Sequence, residues 1–90
     1  MIRVLVAEDS PTARQLLIEM LTSDPGITVV GEARNGLEAV AMAESLRPDL
    51  ITLDVEMPEL DGLEATLRIV GKVPPPIIIV SSRANARAVA

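Results

Sequence analysis

Cysteine and histidine are absent from these 90 residues, as are phenylalanine, tyrosine and tryptophan, and Lys72 is the one lysine. Without cysteine there can be no disulfide, thiolate metal site or cysteine nucleophile, a composition compatible with a reducing cytoplasm. Without histidine no Ser-His-Asp constellation can be assembled, so serine-esterase chemistry is excluded for these residues. Without aromatics the stacking platforms of single-strand nucleic-acid binders are missing, and the core has to be aliphatic. Positive charge is also scarce: eight cationic side chains face thirteen acidic ones, for a net charge of −5. The arginines are scattered, which argues against a phosphate-backbone footprint and so against nucleic acid as a partner. Apolar runs are broken by Arg, Asp, Glu or Pro well short of a bilayer-spanning length. The opening run from Met1 to Ala7 meets Glu8 and Asp9 too early for a secretory signal.

What remains is 49% hydrophobic and sized for one small domain with a limited core. Runs rich in Ile and Val at Val4–Ala7, Ile27–Val30, Leu50–Leu53 and Ile77–Val80 lack polar alternation, as strands of a parallel sheet buried on both faces do. Between the first two, Ala13, Leu16, Leu17, Met20 and Leu21 form one helical stripe, with Ser10 as N-cap and Pro11 at the first helical position. Asn35 caps a second helix with Leu37, Val40 and Ala41 inward, ending near Leu46 ahead of Pro48. Asp61 and Glu64 have capping-box spacing for a third, with Leu63, Leu67 and Val70 inward and Gly71 as its stop. The order βαβαβαβ predicts an α/β fold, a parallel sheet between helices on both faces, and Arg83–Ala90 as the start of a fourth helix. Pro74-Pro75-Pro76 reads as a stiff lead into the fourth strand, in preference to a polyproline recognition segment.

Four acids leave the carboxyl ends of these strands: Glu8 and Asp9 after the first, Asp54 and then Glu56 after the third. That edge is where open α/β sheets bind ligands. Neighbouring strands lie about 4.8 Å apart, so the carboxylates can share one ion only if strands one and three are adjacent. Strand order 2-1-3-4 satisfies this and puts the switch point of the winding beneath the acids. Clustered carboxylates raise one another's pKa unless a cation neutralises them, and an oxygen-only site suits Mg²⁺. Glu56 is placed to offer its backbone carbonyl. Each acid alone has an ordinary explanation, Asp9 or Ser10 as a helix cap and Asp54 as a turn residue. The combination is harder to explain by capping, because Pro58 and the Asp61-Gly62 step extend the Asp54 loop. Ser81 ends strand four beside strand three, where its hydroxyl can serve Asp54; Ser82 is the weaker candidate.

Together Val4-Leu5-Val6-Ala7-Glu8-Asp9-Ser10, Leu53-Asp54-Val55-Glu56-Met57-Pro58 with Asp61-Gly62-Leu63, and Val80-Ser81-Ser82 resemble the response-regulator receiver family, within which the pattern is most similar to the receivers of chemotaxis protein-glutamate methylesterases. The resemblance implies a flavodoxin-like three-layer α/β/α fold and a phosphoryl group accepted on Asp54 from a histidine kinase. It further implies Mg²⁺ ligated by Asp9 and Asp54 and touched through water by Glu8, which stands where the family more often has Asp. Ser81 would hold the phosphoryl group and bias a downstream effector domain or protein.

Family members also carry a lysine at the end of a fifth strand and then a fifth helix, so residues 1–90 read as a receiver domain incomplete at its C-terminus. Lys72 precedes strand four and is not that lysine, and the family's aromatic switch position is missing. An exposed strand-four edge would invite self-association. Two other readings compete. The Asp54-Val55-Glu56 spacing mimics haloacid dehalogenase-like phosphatases, but these place the nucleophile after the first strand and need a longer chain. An interaction module that has lost phosphorylation is the alternative that the missing lysine raises.

Overall fold

The computed structural model describes residues 1–54, 62–72 and 77–81. The elements run β1 (Ile2–Ala7), α1 (Pro11–Thr22), β2 (Ile27–Ala33), α2 (Gly36–Leu46), β3 (Leu50–Asp54), α3 (Gly62–Lys72) and β4 (Ile77–Ser81). All pairings are parallel and the strand order is β2-β1-β3-β4, as the acidic constellation requires. The chain moves outward from β1 to β2 and then back past β1 to β3. Right-handed crossovers therefore set α1 on one face and α2 and α3 on the other, a three-layer α/β/α arrangement.

Local chemistry starts α1 and α2 where the sequence indicates. The Ser10 hydroxyl accepts from Ala13 N at 3.2 Å with Pro11 following it, and Asn35 Oδ1 accepts from Glu38 N at 2.8 Å. Helix α2 stops at Arg47, which takes the left-handed conformation (φ 50°) ahead of Pro48. Arg3 fastens this end by donating to the carbonyls of Leu46 and Arg47, both at 2.8 Å. Helix α3 runs through Gly71 to Lys72, one residue past its expected stop. Asp61, Pro74–Pro76 and the expected helix over Arg83–Ala90 lie outside the described residues.

The main core is built from Leu5, Ala7, Ala33, Ile51 and Leu53 of the sheet with Ala39, Val40 and Ala43 of α2 and Ala65 and Ile69 of α3. The inward faces differ from those expected. In α2, Ala39 and Ala43 are buried with Val40, while Leu37 and Ala41 are exposed; in α3, Ala65 and Ile69 are buried while Leu67 is 70% exposed. Val70 is exposed as well. These helices lie close on the sheet and on each other, and alanine is what fits where backbones approach. In α1 no residue is fully buried: Leu17, Ile18 and Leu21 are half-buried, Leu16 and Met20 exposed. Helix α1 packs on β1 and β2, and its apolar stripe is wider than the surface it covers.

Strand β2 extends past the expected Val30 through Gly31, Glu32 and Ala33, with a register shift opposite Val4 and Leu5. Glycine hides the strand from a reading based on apolar runs, yet its missing Cβ leaves room for the side-chain ends packed over it. A Cβ on Gly31 would stand 2.7 Å from Leu46 Cδ1 and 3.1 Å from Leu5 Cδ1. Gly31→Val is accordingly expected to destabilise the fold by about 1–3 kcal/mol through overpacking between β2 and α2. Urea unfolding followed by far-ultraviolet circular dichroism measures this, and an unchanged midpoint would show that α2 yields freely.

Candidate functional site

The parallel sheet sends β1 and β3 out side by side, with Ala7 opposite Leu53, so the residues that follow emerge at one level. Asp54 closes β3 and is 5% exposed, the one buried charged side chain among the described residues. Glu8 leaves β1 with its N–H bonded to the Ala33 carbonyl of β2 at 3.0 Å, and Asp9 follows in the turn into α1. One carboxylate oxygen from each of Glu8, Asp9 and Asp54 lies within 4.8 Å of the others. Three acids expected to converge do so.

Such proximity is electrostatically costly. The Glu8 carboxyl is held above its ordinary value first by burial, with Asp9 and Asp54 adding to the effect and the Ser10 N–H opposing it. That N–H donates to Glu8 Oε2 at 3.1 Å. Asp9 Oδ1 is buried with no hydrogen-bond partner. A buried carboxylate oxygen without a donor, among two further acids, is suited to a cation, and three hard oxygen donors would fit Mg²⁺.

A pH dependence follows from Glu8. Below the ordinary glutamate value the group is protonated folded or unfolded and contributes nothing. As pH rises through its raised folded value, the fold must hold an anion that it disfavours, so stability falls. A cation that needs ionised ligands reverses this. Mg²⁺ is expected to raise the thermal midpoint at about pH 7.5 and to raise it much less near pH 4, where Glu8, held above its ordinary value, keeps its proton. Circular-dichroism melts with Mg²⁺ or EDTA at the two pH values check it; equal shifts at both would remove the carboxylates from the explanation.

Ser81, the last residue of β4, is the register partner of Asp54, so the backbone sets it at the level of the acids. Glu56, Pro58, Asp61 and Ser82 lie outside the described residues. Sequence reasoning missed Arg14, whose guanidinium reaches back to this turn: Nη1 donates to the Glu8 carbonyl at 2.9 Å. Its signal was a cation in the first turn of α1, six residues after an acid, among residues read for their apolar stripe.

Residues 4–90 match the family model described as the response regulator receiver domain. Protein-glutamate methylesterase/protein-glutamine glutaminase 4 of Myxococcus xanthus is 60% identical over 81 residues, which is 90% of this chain and 23% of that protein. The chain thus spans about a quarter of the length of the curated relatives it matches. The response regulator domain of Thermotoga maritima CheB superposes with a TM-score of 0.90 at 43% identity, over 99% of this chain and 69% of that one. The CheX–CheY complex with BeF₃ and Mg²⁺ from Borrelia burgdorferi aligns with a TM-score of 0.87 at 27% identity, covering 98% of this chain and 66% of that one. Among the described residues no helix is long and apolar enough to cross a membrane.

Proposed function

The chain belongs to the response regulator receiver domain family, and on that premise we propose that it accepts a phosphoryl group on the Asp54 carboxylate from a histidine kinase or a small phosphodonor in the cytoplasm. The observation that carries this reading is the convergence of Glu8, Asp9 and the buried Asp54 at the carboxyl ends of two adjacent parallel strands. In a metal-binding role, Asp9 and Asp54 would offer direct carboxylate ligands, Glu8 a contact through water, and Glu56 its backbone carbonyl. Mg²⁺, when bound, supplies neutralising charge for the phosphoryl oxygens during transfer.

Asp54 is the nucleophile. One of its oxygens forms a bond to phosphorus as the bond to the donor's leaving group breaks, in line, and the donor nitrogen or carboxylate departs with the electron pair. Ser81, in register with Asp54, donates its hydroxyl to a phosphoryl oxygen, and that new bond shifts the segment after β4 to signal to an effector. The likeness to methylesterase receivers supports such a catalytic domain as the effector.

The test is intact-mass spectrometry after incubation with acetyl phosphate, with Mg²⁺ or with EDTA. One added phosphoryl group that requires Mg²⁺ is the expected result. No adduct on a chain shown by circular dichroism to be folded would overturn the reading.

A further inference from the structure

Glu8 and Asp9 sit in a turn, and a turn holds ligands in place only if something holds the turn. Its inner bonds form a ring: Ser10 N to Glu8 Oε2, Ala13 N to Ser10 Oγ at 3.2 Å and Arg14 N to Ser10 O at 2.8 Å. Arg14 closes the ring and ties it outward. Its Nη1 donates to the Glu8 carbonyl at 2.9 Å while Nε faces Glu32 Oε1 of β2 at 3.5 Å, and its side chain is 15% exposed. The planar fork thus serves the end of β1 and the neighbouring strand at once, from two nitrogens held in fixed geometry.

We propose that Arg14 is a positioning residue that sets the divalent-cation affinity of the Glu8, Asp9 and Asp54 centre by fixing the backbone of the β1–α1 turn. This rests on the reading of that centre as a metal site. Arg14 reaches the ligand residue Glu8 through its main-chain carbonyl. Two physical effects of removing it therefore have opposite signs. Coulombic repulsion between a guanidinium and a cation would make its loss tighten binding. Loss of the tie lets the turn wander and weakens binding, on the scale of about tenfold that supporting residues around metal ligands command.

The experiment is Mg²⁺ calorimetry and Mn²⁺ titration by electron paramagnetic resonance on the chain, Arg14→Gln and Arg14→Lys, each well below its melting midpoint in EDTA. Arg14→Gln is expected to weaken both cations about tenfold. Arg14→Lys, which keeps the charge and loses the fork, is expected to weaken them several-fold, and it decides the matter should the glutamine variant fail to fold. Unchanged or tighter binding in the folded variant overturns the positioning role while leaving the receiver reading intact. Absence of Mg²⁺ and Mn²⁺ binding to the parent chain overturns both.

Discussion

Asp54→Asn gains no phosphoryl group under conditions that modify the parent chain, and it melts no lower than the parent in EDTA. The amide is nearly the shape of the carboxylate, so the packing around this 5% exposed side chain is kept. What changes is charge. The amide oxygen is a poor nucleophile without the negative charge that attacks phosphorus, so the adduct should be lost outright. The same change removes one of the acids that hold the Glu8 carboxyl above its ordinary value, which relieves repulsion in the metal-free fold. The Mg²⁺-induced rise in midpoint should shrink with it, since one of three clustered donors becomes neutral. Intact mass and paired melts read the two effects separately. An adduct that persists in Asp54→Asn would move the acceptor to another residue, and a midpoint well below the parent's would mean that Asp54 is held by bonds the amide cannot replace.

The sheet was legible in the residues because parallel strands buried on both faces declare themselves as Ile- and Val-rich runs, and the caps because Ser10-Pro11 and Asn35 are local chemistry. The site was legible for a related reason: strand order 2-1-3-4, required if Glu8, Asp9 and Asp54 were to share an ion, is the order found. Helix faces were the hard part. Reading inward positions from large apolar residues put Val40 inside correctly but also Leu37, Leu67 and Val70, whereas the core there is Val40 with Ala39, Ala43, Ala65 and Ile69. Alanine carries little signal in a single sequence, yet it permits the closest approach of helix to sheet. Gly31 hid the end of β2 similarly, since its value lies in a missing Cβ beneath Leu46. Arg14 escaped because its partners, the Glu8 carbonyl and Glu32, meet only once β1, β2 and α1 are assembled.

Ile51→Ala and Leu67→Ala set the two accounts of the core against each other. Ile51 is fully buried in β3, paired with Leu5 on one side and Ile78 on the other. Truncating it removes the transfer free energy of several buried carbons and leaves a cavity, for a cost of about 2–5 kcal/mol. A domain of this size has a total of only about 5–10 kcal/mol, so much of its stability should go, visible as a large fall in urea midpoint by far-ultraviolet circular dichroism. Leu67, on the exposed side of α3, should change stability by no more than about 0.5 kcal/mol. Comparable losses in the two variants would show Leu67 covered in solution and restore the face read from the apolar spacing. The pair also bears on the site, because β3 ends in Asp54. At temperatures where the Ile51→Ala chain is still folded, its phosphoryl adduct should form normally, since the strand register that carries Asp54 to the acids is set by backbone pairing with β1. A folded variant that cannot be modified would mean that Ile51 packing, as well as register, aims the carboxylate.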